Sequence, residues 1–294
     1  MVKRLGQLGN RLFTFAHVIA NSIENGYSVI NPNLDQYASY FECSSTNNFN
    51  GYPISVRLFK STLFNKVTLP LDKKIIFNLA SSFTNTFIKN SSIKFITDQD
   101  NDYEMNSPHF IENAKNKTVI AHGWLFRDKK NFNKHADTLR KLFKPIELHR
   151  TNVNNLIHTC RKECEILIGV HMRKGDYATF RGGEYYYDTT TYVSKLLNIK
   201  ELLESRYNKI SFLICSNEPV DVEAFTTKGL TVHLGTNHFI EDLYSLAECD
   251  YIIGPPSSYS TWASFYGNKP ICILRNKEQL IKLEDFEVYL YKGY

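Results

Sequence analysis

Apolar positions recur at three-to-four spacing between Asn10 and Asn25. Leu12, Ala16, Ile19 and Ile23 fall on one helical face, which Phe13 and Ala20 broaden. Gly26 supplies a helix stop, and residues 27–30 read as a short strand. Across residues 31–115 the pattern fades. Asn, Ser, Thr and Phe alternate without a clean period, and the segment reads as loops, short strands and short helices that contact an acceptor. Residues 119–121 read as a strand and 131–143 as a helix stopped before Pro145. Beyond that point short apolar runs alternate with helical patterns. Strands are predicted at 166–171, 210–215, 230–234, 251–253 and 271–274, and helices at 189–206, 240–248 and 258–266. Such alternation gives a parallel sheet covered on both faces, which binds ligands at the carboxyl ends of its strands.

Composition adds bounds rather than chemistry. The chain has 294 residues, enough for one large domain or two of about 100–200 residues each. Its net charge of +5 is spread over scattered lysines and arginines, with short clusters at Lys73-Lys74 and Lys129-Lys130, so no nucleic-acid partner is predicted. Of six cysteines, Cys215 and Cys272 lie in apolar runs and read as small buried hydrophobes. Cys160 and Cys164 share a helix face, but no His/Cys pair at zinc spacing accompanies them, so no metal is predicted. A reducing compartment fits best. No leader is expected, and no apolar run approaches the roughly 20 residues of a spanning helix. The expected location is cytoplasmic, compatible with peripheral attachment to a membrane. The triplets beginning at Asn90 and Asn116 match the glycosylation pattern, which means little in such a location.

Four segments carry candidate chemistry. Gly6, Gln7, Leu8, Gly9 and Asn10 precede the first helix. They suit either close approach of an anion to helix N–H groups or a plain turn with an Asn cap. His171, Met172, Arg173, Lys174, Gly175, Asp176 and Tyr177 end a strand, bringing an imidazole, a guanidinium and a carboxylate together. The arginine fork matches a diphosphate, against the alternative of a surface turn with an ion pair. Asn217 and Glu218 follow another strand and suit a base or ribose, or a helix cap. Glu241 and Asp242 open a helix, where the dipole favours acids anyway. The hydroxyl-rich run from Ser257, Ser258 and Tyr259 opens the next helix and suits a phosphate or a capped turn. His17 reads as a packed histidine, and Tyr185, Tyr186 and Tyr187 as packing rather than a sugar platform.

Taken in order, these segments resemble the inverting, GDP-fucose-dependent alpha-1,2-fucosyltransferase family. The first motif is matched by Gly6 to Phe13, with Gln7 and Arg11 departing from the usual Gly and Gln. The central His-x-Arg-Arg-Gly-Asp-Tyr motif is matched from His171, with Lys174 replacing the second Arg. The last motif pairs Asp242-Leu243 with the loop from Pro256 to Trp262, with departures at Pro256 and Thr261. The resemblance implies an α/β, GT-B-like architecture of two Rossmann-like domains facing a cleft. An acceptor-side domain would span 1–148 and a GDP-fucose-binding domain 149–294. It implies GDP-fucose and a glycan as substrates, galactose O2 as acceptor atom, inversion, and no metal or cofactor. It assigns catalysis to Arg173, Asp176 and His171. It assigns substrate binding to Gly9, Asn10, Arg173, Asn217, Glu218, Asp242, Ser257, Ser258 and Tyr259, with Asn10 approaching from the N-terminal domain. Two other readings stay open, a transferase of another GDP-sugar and a non-catalytic glycan-binding protein.

Overall fold

The computed structural model describes residues 6–58, 73–87, 92–98 and 101–290. Residues 1–5 and the Asn90-Ser91 part of one glycosylation triplet lie outside them. The chain divides into two compact units, the first ending at Ile146 and the second spanning Glu147–Leu290.

The first unit is organised around helix α1 (Leu8–Asn25). Leu8, Leu12, Phe13, Ala16, Ile19 and Ala20 are buried, as their spacing requires. The helix ends where Gly26 turns left-handed and its N–H donates to the Ser22 carbonyl. At its other end the structure corrects the sequence reading. The helix begins at Leu8, so Gln7 is at the cap position and Gly9 and Asn10 lie within the first turn. Asn10 folds back over Gly6, where an added Cβ would come 2.3 Å from its Nδ2. Among the described residues three parallel strand pairs follow. They join β1 (Val29–Ile30) to β2 (Val56–Arg57), β3 (Ile93–Thr97) to β5 (Thr118–His122), and β4 (Tyr103–Glu104) to β6 (Phe126–Arg127). The helix predicted at 131–143 is two, Lys129–Lys134 and Ala136–Leu142, broken at His135. A buried polar knot holds this unit. Asp128 is fully buried, and its carboxylate accepts from Asn21 Nδ2, Asn106 Nδ2, and both the backbone N–H and Nδ2 of Asn131. His17 is packed in the core on Phe132, and its Nδ1 accepts the Asp128 N–H at 3.1 Å.

The second unit opens with a helix the periodicity did not reveal, Glu147–Arg161. Strands β7 (Ile166–Met172), β8 (Ile210–Ser216), β9 (Thr231–Leu234), β10 (Tyr251–Gly254), β11 (Pro270–Ile273) and β12 (Glu287–Val288) form one sheet. Its order is β12-β11-β10-β7-β8-β9, parallel throughout except for β12. Alternate residues decide which face each strand residue serves. Ile166, Ile168, Val170 and Met172 pack with Phe212 and Ile214 against Tyr192, Leu196 and Ile199 of the helix Thr189–Leu203. Each such side chain contributes roughly 1.5–3 kcal/mol when fully buried, so this face anchors the central strand. The opposite face, carrying Leu167, Gly169 and His171, receives the helix Phe239–Glu248: an added Cβ at Gly169 would lie 2.8 Å from Leu246. All six cysteines are free. Among the described residues no helix is long and apolar enough to cross a membrane.

Candidate functional site

Because β7 lies inside the sheet, its carboxyl end is flanked by the loops that follow β8 and β10. The strand ends at Met172, so Arg173 is the first residue past it rather than a strand residue. Its guanidinium donates to Asp176 Oδ2 at 2.8 Å and lies over the Tyr177 ring, 5.4 Å from the centroid. The two partners differ in exposure. The arginine side chain is 15% exposed and the aspartate 55%. An ion pair with one partner this open contributes at most about 1 kcal/mol. The arginine is therefore held in place by its surroundings, while its carboxylate partner is cheap to exchange.

His171 is buried on the helix side of the sheet, its ring 5.0 Å from that of Tyr259. Burial, reinforced by the neighbouring Arg173 charge, lowers its pKa to about 3. The imidazole is thus neutral at ordinary pH. Its Nδ1 is buried and hydrogen-bonds to nothing among the described residues. The chain crowds it from β10: an added Cβ at Gly254 would sit 2.9 Å from the His171 carbonyl oxygen, so a side chain there would displace the strand end.

Hydrogen bonds tie the three loops together. Asn217, just past β8, accepts the Lys174 N–H at 2.9 Å. Its amide nitrogen also lies where a Cβ on Gly175 would intrude at 2.6 Å, and Gly175 adopts φ +54°. Tyr177 reaches the third loop, its hydroxyl donating to the Pro256 carbonyl at 2.6 Å. Glu218 is exposed, and its N–H donates to Ser216. The turn after Asn217 runs on to a short helix only at Glu223–Thr226, so Asn217 is not a helix cap. In the third loop Ser257 caps the helix Ser258–Gly267, accepting the Tyr259 N–H. Ser258 opens that helix, and Tyr259 donates its hydroxyl to the Phe239 carbonyl at 2.6 Å. The N–H groups of a helix's first turn suit an anion, and here Ser257 already takes that of Tyr259.

Asp242 lies on the helix behind these loops and is buried. Burial raises its pKa to about 6, against hydrogen bonds from Thr236 and the Asn237 backbone that favour the charged form. Its neighbour Glu241 is also buried, yet its pKa is held below the usual glutamate range. Burial works against its charge, but hydrogen bonds from Asn152, His149 and Thr236 outweigh it. His149, Asn152 and His238 escaped the sequence reading. The one local signal was the His-x-x-Glu spacing of His238 and Glu241.

The structure thus gathers His171, Arg173, Asp176, Asn217, Ser257, Ser258 and Tyr259 around one strand end, with Asp242 on the adjoining helix. Glu218 is exposed, with its Oε1 3.5 Å from where a Cβ on Gly175 would lie. Gly9 and Asn10 belong to the first unit. Of the three tyrosines, Tyr187 alone is buried, donating to the Leu274 carbonyl, which is packing rather than a sugar platform.

Solved structures share this fold at low sequence identity. A mutant of Arabidopsis thaliana FUT1 in complex with GDP superposes with a TM-score of 0.62 at 12% identity, covering 95% of this chain and 70% of that one. Fucosyltransferase NodZ from Bradyrhizobium gives 0.56 at 14% identity, covering 95% and 96%. POFUT1 in complex with GDP-fucose gives 0.54 at 12% identity, covering 92% and 94%. The fold is therefore the α/β, GT-B-like fold of glycosyltransferases. The sequence matches the family model of glycosyl transferase family 11 over residues 35–283, and the chain belongs to that family. The resemblance read from the motifs is borne out at this level. A search of curated protein sequences finds no match.

Proposed function

We propose that the chain transfers L-fucose from GDP-fucose to galactose O2 of a glycan acceptor, with inversion at the fucose anomeric carbon. One observation carries this reading. Arg173 stands at the end of the central strand, held by Tyr177 and paired with a half-open carboxylate that a diphosphate can replace. The acceptor oxygen attacks the anomeric carbon, the bond from that carbon to the β-phosphate oxygen breaks, and the electron pair leaves with GDP. The guanidinium meets the charge growing on that oxygen, which is where fixed electrostatic donors contribute most. The first turn of this helix offers the Ser258 N–H to the diphosphate, with Ser257 shaping the turn through its bond to the Tyr259 N–H. Asn217 and Glu218 lie on the nucleoside side, and Asp242 backs the pocket. No metal or cofactor enters this scheme.

The acceptor proton needs a destination. His171, with a pKa near 3, is a weak base at neutral pH. Asp176 is exposed and becomes available once the diphosphate takes its arginine. In this scheme Asp176 accepts the proton, and His171 works as an uncharged wall beside Tyr259. Membership of family 11 and the likeness to structures solved with GDP or GDP-fucose support the donor. The linkage is tested by NMR of the product made from GDP-fucose and a galactose-terminated oligosaccharide. An anomeric correlation to galactose C2 is expected. A correlation to C6, the linkage of NodZ alpha-1,6-fucosyltransferase, would replace the assignment.

A further inference from the structure

The geometry points to a divalent transition-metal site of the zinc class in the second unit, formed by His149, His238 and Glu241. The inference stands apart from the transfer reaction. His149 lies in the first turn of the helix Glu147–Arg161, and His238 holds the cap position before Phe239–Glu248. Glu241 lies in the first turn of that second helix. One ligand atom from each residue lies within 4.8 Å of the others. His149 Nδ1 and Glu241 Oε1 are 2.9 Å apart, and the two imidazoles stack with centroids 4.6 Å apart. In a tetrahedral zinc site with bonds of about 2.1 Å, ligand atoms stand about 3.4 Å from one another. The His149–Glu241 separation is about half an ångström shorter than that and the others lie within 4.8 Å, so rotation of the Glu241 carboxylate and the His238 ring is what brings all three onto one ion.

The chemistry of the donors agrees. Two imidazoles and one carboxylate suit zinc and its neighbours and discriminate against magnesium, which prefers oxygen ligands in an octahedron. Binding at His149 Nδ1 uses the tautomer protonated on Nε2, so the present hydrogen bond to Glu241 gives way to two metal bonds. Asn152 Nδ2 donates to the Glu241 Oε1 at 2.6 Å and orients the carboxylate from outside the ligand set. With three protein ligands the fourth position falls to water. The ion would fasten the starts of two helices, one of which carries Asp242.

The test is calorimetric titration of the full chain, stripped with a chelator and desalted, with zinc chloride and separately with magnesium chloride. One-to-one zinc binding is expected, without magnesium binding. His238→Ala and Glu241→Gln should each weaken it at least ~10-fold. Because Glu241 is buried, thermal unfolding of each variant without metal checks that it folds. Half-buried His238 makes the safer variant. Zinc should raise the melting temperature of the parent chain and leave that of His238→Ala unmoved. Cobalt substitution separates this site from the free thiols of Cys43 and Cys164, since an N/O site shows no sulfur-to-cobalt charge-transfer band. Absence of zinc binding, binding unchanged in both variants, or a thiolate-type cobalt spectrum would each overturn the assignment.

Discussion

Two polar clusters, one in each unit, hold a charge in opposite ways. Around Asp128 every acceptor is occupied. Four N–H donors converge on a carboxylate with no solvent exposure, and the donors come from residues far apart in sequence. Around Arg173 commitments are loose. One carboxylate partner is half open, and the adjacent His171 keeps a buried nitrogen unbonded among the described residues. A saturated network has no capacity left for a ligand and acts as a structural fastener. A strand-end cation with an exchangeable partner is stabilised further by an arriving anion. The contrast separates fold-holding polarity from binding polarity without reference to motif.

The contrast breaks most visibly at Asp128. Asp128→Ala leaves four donors, three of them buried, without their acceptor, and each buried loss costs about 1–3 kcal/mol. Urea unfolding should register at least about 3 kcal/mol of destabilisation. A loss below about 1 kcal/mol would remove the claim that this knot fastens the first unit.

Arg173→Ala should do the reverse. Turnover should fall ~100-fold, equivalent to about 2.7 kcal/mol of transition-state stabilisation, while unfolding free energy changes by less than about 1 kcal/mol. A variant that loses stability but turns over normally would assign Arg173 to the fold instead.

Asp242 lies between the two extremes, and pH exposes it. Its native pKa, near 6, is raised above the ordinary aspartate value. The native state therefore holds a proton that the unfolded chain has released, and charging Asp242 in the fold costs stability. That cost is full above about pH 6 and is relieved as pH falls through 6 towards 4. Asp242→Asn should accordingly gain up to about 2 kcal/mol relative to the parent near pH 8, with the gain fading near pH 4. A gain that does not vary with pH would show that charge is not the cause.

The smallest effect is expected at Asp176. Asp176→Asn should change unfolding free energy by less than about 1 kcal/mol, since its ion pair is half exposed. Turnover should still drop, because the acceptor proton loses its base. A change larger than that in stability, with turnover intact, would move Asp176 to the structural side of the comparison.

How much of this was legible in the sequence follows from range of interaction. The five parallel strands of the second unit and the helices between them at Thr189–Leu203, Phe239–Glu248 and Ser258–Gly267 were readable because a parallel sheet buries continuous apolar runs such as Ile166 to Val170; β12 and the short helix Glu223–Thr226 were not. The helix Glu147–Arg161 was not, because its polar face dominates and few of its residues, among them His149, Val153 and Cys160, are buried. The strand-end grouping of Arg173, Asp176 and Tyr177 is local and visible in seven residues. Its tie to Asn217 and Pro256 spans 43 and 79 positions and depends on strand order, which no local pattern encodes. The Asp128 knot was hidden for the same reason, since Asn21 lies 107 residues from its partner. The start of α1 was misplaced because Leu8 and Gly9 read as loop, whereas burial of Leu8 draws the first turn back to it.

The central claim is tested most directly by following GDP release from purified protein given GDP-fucose or GDP-mannose with a galactose-terminated acceptor. The account predicts GDP from GDP-fucose, little from GDP-mannose, and a rate ~100-fold lower with Arg173→Ala. Equal release from both donors, or release undiminished in the variant, would contradict it.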